Sequence, residues 1–418
     1  MKLRVVVIGN SFATRLGVIR SLANTGCEIV VVDINFHKNK QSYRPIDYYS
    51  KYVDKYLLFE RSEGREGLVK FLISECANKS QKAVLVPTSD FSAVTIDENQ
   101  KILKEYFLFS HIHHTEGAVS HWMNKMTQKE LASKIGLNVC RATILRKGEK
   151  QFAIPSGIDY PCFTKPLASI GGGKRCLKRC DSEKALAEVL VIAEKSNIEE
   201  LLIEEYIRIE KEYAVLGFSD GNDVVIPGII QFIEGCKSHP GIALKGEIKP
   251  ITGYEEDTIR LFKQLIQEIG FVGIFDIDFV ESGGKFYFVE LNLRIGGSAY
   301  AVTKMGCSLP AMYVKFMTEK SISHTDLTDY TDKQIVTQDD AGYVQSTKTY
   351  LNERMLLDDW MSGKRSTFEC IKLFRSSDIH FVCDGDDPRP QERIEKEFVR
   401  HLINPRRIAK RIKCVIKK

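Results

Sequence analysis

Little in this sequence suggests export, a membrane span or a disulfide scaffold. The opening MKLRVVVIGNS turns polar after a very short apolar run, without the long apolar stretch of a signal peptide. No segment approaches the roughly 20 apolar residues that cross a bilayer. Eleven cysteines are scattered without any Cys-x-x-Cys pair, Cys176 and Cys180 coming nearest. An odd, unframed set suits free thiols in a reducing compartment, so a cytoplasmic protein is expected. Internal repeats and low-complexity blocks are also missing. The net charge of +5 gives no ground for a nucleic-acid partner.

What is present is an ordinary globular balance, 43% apolar and 28% charged, over 418 residues. That length exceeds one compact core and predicts two or three domains. Leu3–Ile8 reads as a strand buried on both faces. Gly9-Asn10-Ser11 then leads to a helix with apolar Leu16, Ile19 and Leu22. Cys27–Asp33 and Ala83–Val86 read as further buried strands. The alternation predicts a doubly wound parallel sheet over residues 1–115. The first turn, GNSFATRLG, is not G-x-G-x-x-G, so a dinucleotide site with Asp33 on a ribose is disfavoured. A plain scaffold with Asp33 ending its strand is preferred.

The chemistry concentrates in FVGIFDIDFVESGGKFYFVELNLRIGGS, residues 271–298, which reads as two strands and a turn. Alternation puts Asp276 and Asp278 on one face of the first strand, and Glu290, Asn292 and Arg294 on one face of the second. Val289, Leu291 and Leu293 are expected to face a core. A two-residue Gly-Gly turn pairs Asp278 with Val289 and turns Glu290 away. A three- or five-residue loop sets Asp278 opposite Glu290. Facing carboxylates repel, and a hard divalent cation shared with nucleotide phosphates resolves the conflict. The alternative is a solvated edge hairpin.

Upstream, YPCFTKPLASIGGGKRCLK (residues 160–178) carries Lys165 and a glycine-rich turn. Its backbone N–H groups suit phosphate oxygens. LLIEEYI (201–207), Glu212 in KEYAVLGF, and Lys125 in HWMNKMTQKELASKIG accompany it. Individually each is an ordinary surface charge.

Taken in order, Lys125, Lys165 with its glycine loop, EEYI, Glu212, Asp278 and Glu290-x-Asn292-x-Arg294 resemble the ATP-grasp superfamily. The resemblance covers the middle of the chain, and such enzymes carry a preceding Rossmann-like domain. It implies an α/β and α+β architecture. Residues 1–115 would be a Rossmann-like domain before an ATP-grasp domain at 116–318, with a glycine-rich lid at about 140–208. A C-terminal extension would occupy 319–418. It further implies that Lys125 and Lys165 touch ATP phosphates and that Ser169, Gly171, Gly172 and Gly173 close over them. Glu204, with the backbone of Glu205 and Ile207, would hold adenine, and Glu212 the ribose. Asp278, Glu290 and Asn292 would bind Mg²⁺, or Mn²⁺ in its place, and Arg294 would stabilise the anionic intermediate. The resemblance gives Asp276 no role, and it is read as standing behind the metal ligands.

The implied chemistry is attack of a carboxylate on the γ-phosphate of ATP, then displacement of phosphate from the acyl phosphate by an amine. Positioning and charge neutralisation suffice, so no Cys or Ser is assigned as a nucleophile. The layout is similar to carbamoyl-phosphate-synthase large-chain-like and D-aspartate ligase-like proteins. One copy of the unit favours a stand-alone carboxylate–amine ligase over carboxyphosphate chemistry. His239, Lys249 and Gly296–Ser298 are the candidate substrate contacts. Small-molecule acid and amine substrates are the expected partners, and a homo-oligomer is compatible with the sequence. Rival readings are a nucleotide-cofactor oxidoreductase and a non-catalytic ATP-binding regulator.

Two features stand apart. His111, His113 and His114 lack the accompanying ligands of a zinc site and read as a linker. The tail NPRRIAKRIKCVIKK places Ile408, Ile412 and Ile416 on one helical face among basic residues. A packed terminal helix is preferred for it over a peripheral contact with an anionic membrane.

Overall fold

A computed structural model describes residues 2–35, 44–78, 80–148, 152–154, 156–167, 176–239, 241–254, 256–322 and 343–403. Ser169, Gly171, Gly172, Gly173 and the basic tail therefore lie outside the described residues.

The first sheet is parallel, with strands β1 (Arg4–Gly9), β2 (Glu28–Asn35), β3 (Lys55–Glu60), β4 (Ala83–Pro87) and β5 (Phe107–Leu108) in the order β3-β2-β1-β4-β5. Val5 to Ile8 are fully buried, because helices cover both faces. The strand order reverses between β1 and β4. The helices that follow them, α1 (Phe12–Ser21) and α3 (Asp90–Asp97), therefore open side by side, capped by Ser11 and Ser89. Helix α2 (Gly64–Cys76) packs between β3 and β4 in sequence.

Asp33 serves the scaffold. The buried Arg15 side chain bonds Asp33 (2.8 Å), Asp47 (2.7 Å), the Gly9 carbonyl (2.6 Å) and the Tyr56 hydroxyl (3.0 Å). A guanidinium thus occupies the end of β1 beside Asp33. The three histidines form a tight connector. His111–Ile112 pairs with Phe271–Val272, and His113 and His114 adopt positive φ. Among the described residues no group of His, Cys, Asp and Glu converges as a metal cluster.

A small antiparallel sheet follows: β6 (Ala142–Arg146), β7 (Cys162–Pro166), β8 (Lys178–Cys180) and β9 (Glu200–Glu205), in the order β8-β7-β9-β6. With the helix Glu183–Lys195 it encloses its own apolar cluster, including Leu145, Leu186, Val189 and Leu201.

The largest sheet runs β16-β15-β12-β11-β10-β13-β14, then the short segment Asn138–Val139. Its members are β10 (Lys211–Asp220), β11 (Ile229–Gly235), β12 (Ala243–Lys249), β13 (Phe271–Ser282), β14 (Lys285–Asn292), β15 (Lys348–Leu351) and β16 (Ile379–His380). The segment expected as a C-terminal extension thus supplies two strands of this sheet. One apolar cluster joins the first sheet to the large one, from Val5 through Leu216 and Ile274 to Tyr350 and Phe381. No helix among the described residues is long and apolar enough to cross a membrane.

Candidate active site

The β13–β14 hairpin sets the geometry. Gly283 and Gly284 take φ of 57° and 72°, the left-handed pair of a tight two-residue turn, and Ser282 pairs with Lys285. That register holds to Phe279 opposite Phe288. A β-bulge then leaves Val289 unpaired, and beyond it Asp278 faces Glu290 and Asp276 faces Asn292. The sequence alternatives tied a two-residue turn to separated carboxylates, and the bulge overturns that link. It also corrects Val289. Leu291 and Leu293 enter the core, whereas Val289 is half-buried and lines the cleft.

The cleft has two lobes, of about 620 and 570 Å³, which share Asp90, Gly241, Asp278, Asn292 and Arg294. The second lobe contains Lys125, Lys165, Glu204, Glu205, Ile207 and Glu290. Helix α4 (Lys125–Lys134) reaches it because Asn124 caps the helix and Gln128 exchanges two hydrogen bonds with the Leu291 backbone, at 2.7 and 2.9 Å. Lys125 Nζ meets Glu290 Oε1 at 2.8 Å. Glu204 Oε1 meets Lys129 Nζ at 2.8 Å and Lys165 Nζ at 3.0 Å. Burial lowers the pKa of Lys165, with Glu204 opposing. Glu205 instead accepts from the Arg141 backbone (3.0 Å) and guanidinium (2.8 Å). Glu212 is exposed on the same sheet face as Asp278, two register positions along and opposite Val280.

At the junction of the lobes, Arg294 bonds Asp90 (2.8 Å) and the Asn292 amide oxygen (3.2 Å), while Asn292 donates to Asp278 (3.3 Å). Burial raises the Asp276 carboxyl to about 6, Arg294 opposing and Glu290 adding. Asp278 lies well above the usual carboxylate range through burial and its neighbours Asp276 and Glu290. Such crowding is what a divalent cation relieves. Two opposed carboxylates and an amide oxygen suit an ion that completes its shell with phosphate and water oxygens, as Mg²⁺ does.

The first lobe lies at the mouth of the parallel sheet, between Asn10, Ser11, Thr14, Thr88 and Ser89 on one side and Gly297, Ser298, Tyr350, Asn352 and Phe381 on the other. Ser298 Oγ lies 3.2 Å from the Tyr350 hydroxyl, and the Tyr350 and Phe381 rings stack 4.9 Å apart. Gly296 packs on Asp276, where a Cβ would fall 2.1 Å from Oδ2. His239 and Lys249 do not line either lobe. His239, with its side chain 47% exposed, pairs with Asp358 at 3.1 Å, and Lys249 meets Glu247 (3.1 Å) and Gln231 (2.7 Å). Gly241, Ile242 and Ala243 between them do reach the cleft, but neither the His239 nor the Lys249 side chain does.

Sequence reasoning missed Lys129, Asp90 and the Tyr350–Phe381 wall. Lys129 carried a signal, the i,i+4 spacing from Lys125 on one helix face. The others arrive from distant segments and had none.

Comparison with known proteins bears on the domain that carries this cleft. Residues 126–298 match a protein-family profile described as an ATP-grasp domain. The carbamoyl phosphate synthase large chain of Clostridium perfringens is 28% identical over 178 residues, 40% of this chain but only 16% of that protein. Among solved structures, the L-amino acid ligase from Bacillus licheniformis superposes with a TM-score of 0.58 at 13% identity, covering 83% of this chain and 79% of its own. The biotin carboxylase domain of Hydrogenobacter thermophilus 2-oxoglutarate carboxylase, solved with MgADP, ADP and bicarbonate, gives 0.60 at 18% identity over 84% and 74%. At such identities the structures speak for the fold. Together with the family match they show that this α/β chain carries an ATP-grasp domain.

Proposed function

We propose that the protein is an ATP- and magnesium-dependent carboxylate–amine ligase. The observation that carries this reading is the Asp278–Glu290 pair, held opposite each other where the two lobes of the cleft meet. On this reading the Lys165 lobe takes ATP and the other lobe takes the acid and the amine. Lys125 and Lys165 neutralise phosphates, and Glu204 keeps the Lys129 and Lys165 ammonium groups together. The Glu204–Ile207 segment holds adenine, and Glu212 on the same sheet face holds the ribose. Asp278, Glu290 and Asn292 hold Mg²⁺, which supplies charge neutralisation at the transferring phosphoryl group. Arg294, fixed by Asp90, faces the anionic carbonyl oxygen of the acyl intermediate.

The small-sheet unit, about residues 140–208, acts as the lid of the 116–318 domain. Its separate apolar cluster supports its closing as a body and shielding the acyl phosphate from water. Residues 1–115 and the C-terminal segment from 319 complete the acceptor lobe. A cytoplasmic setting fits the free thiols.

The test is ADP and phosphate release from Mg-ATP across amino acids and small carboxylates, offered singly and in pairs. The ligase reading expects release that requires one acid, with the amine found in the product. Failure of Mg-ATP to bind at all would overturn it.

A further inference from the structure

Asp276 has no place in the scheme above, yet it is the most conspicuous polar group in the acceptor lobe. Its neighbours on β13, Phe275 and Ile277, point into the core, and Leu216 and Asn292 flank it in register on β10 and β14. Asp278, two residues on, borders both lobes. Asp276 borders only the acceptor lobe, and Glu290 only the nucleotide lobe.

The Asp276 Oδ1 atom is buried and takes part in no hydrogen bond among the described residues. Its nearest cation, Arg294, directs its donors to Asp90, Asn292 and the Ile295 carbonyl instead. The other oxygen is pressed on by Gly296, where no side chain fits. A buried carboxylate oxygen without a partner is costly, and it calls for a group that completes it, a ligand among them. A ligand that completes it from the acceptor lobe, which Asp276 borders, is a hydrogen-bond donor of positive or neutral charge.

Resting on the ligase reading, we propose that Asp276 receives the N–H groups of the attacking amine, making the second substrate a primary amine that arrives as its ammonium. Asp276 is then a positioning residue that holds the nitrogen one strand step from the metal-bearing pair. In the reaction the ammonium first yields one proton to solvent, and the freed nitrogen lone pair forms the C–N bond with the acyl carbon. The C–O bond to phosphate breaks, and phosphate leaves with that electron pair. Of the two protons the nitrogen sheds, one ends on phosphate and one in solvent. Ser298 and Tyr350, whose hydroxyls meet beside this point, border the rest of the amine.

The test separates acid activation from amine capture in the full-length enzyme. Hydroxylamine, uncharged at neutral pH, traps an acyl phosphate as the hydroxamate without needing a cation site. Asp276→Asn should leave acid-dependent hydroxamate formation and MgADP affinity within about threefold, while KM for the amine rises about tenfold to a hundredfold, the size of a charge-assisted contact. Gly296→Ala, which thrusts a methyl group at the same carboxylate, should show the same split with Asp276 intact. An unchanged amine KM in both variants would overturn the proposal. So would joint loss of MgADP affinity and hydroxamate in Asp276→Asn, which would make Asp276 a metal ligand. Absence of hydroxamate in the wild type with every acid would sink the ligase reading instead.

Discussion

At the residue scale, Glu290 concentrates the argument. Its carboxylate faces Asp278 across the ladder and is held by Lys125 at 2.8 Å, so lysine and cation would compete for the same oxygens. Glu290→Gln keeps the shape and removes the charge. Turnover should fall on the order of 10²–10³-fold through lost stabilisation at the phosphoryl group. Steady-state ADP release measures this, and near-normal turnover would remove Glu290 from the metal site. Lys125, Lys165, Asp278, Glu290, Asn292 and Arg294, whose roles are proposals, all line one cleft. That they would share it was legible from their order along the chain, through the family resemblance. Asp90 was not, since its role as the anchor of Arg294 exists only after the parallel sheet docks. His239 and Lys249 were misread because proximity in sequence to the cleft strands does not fix which flank a side chain faces.

Among the elements, the β13–β14 hairpin shows how one extra residue decides chemistry. The strands, the glycine turn and the two acidic faces were readable from period-two alternation. The bulge was not, because an additional Val leaves composition and hydrophobic pattern unchanged while moving every later side chain to the other face. Deleting Val289 should therefore give an uninterrupted ladder that still sets Glu290 opposite Asp278 and Asn292 opposite Asp276. Calorimetric titration should then find MgADP bound within about tenfold of wild type. Val289→Ala, which preserves register, should bind MgADP within a few-fold of wild type. Abolished binding in the deletion variant, with the protein still folded, would contradict this register.

Across the whole molecule, the C-terminal segment joins the parallel sheet to the large one. Arg20 in α1 bonds Asp387 at 3.0 Å and the carbonyls of Phe381 and Val382, all buried. Asp384 meets Tyr300 and, at 2.8 Å, Lys304. This clamp sets Tyr350 and Phe381 as a wall of the acceptor lobe. It was invisible in sequence because its contacts span more than 300 positions. Although burial opposes it, Lys304, Tyr300 and the Asp386 amide hold the Asp384 carboxyl down at about 2, below its ordinary 3.8. A folded-state value below the unfolded one stabilises above about pH 4 and loses that effect as pH falls through about 2. Denaturant titrations should thus show wild type more stable than Asp384→Asn by a constant margin from pH 8 to 5. The margin should shrink below pH 4, and a gap that persists undiminished at pH 2 would contradict the clamp.

The central claim, a carboxylate activated by phosphoryl transfer, leaves its mark on the fate of one oxygen atom. If the acid attacks the γ-phosphate and the amine later expels phosphate, a carboxylate oxygen departs with the phosphorus. Once the screen identifies the acid, it should be supplied with ¹⁸O in both carboxylate positions, and the released phosphate examined by mass spectrometry or ³¹P resonance shift. One ¹⁸O per phosphate, in proportion to amide formed, is the predicted result. Phosphate carrying only solvent or ATP oxygen would contradict the account.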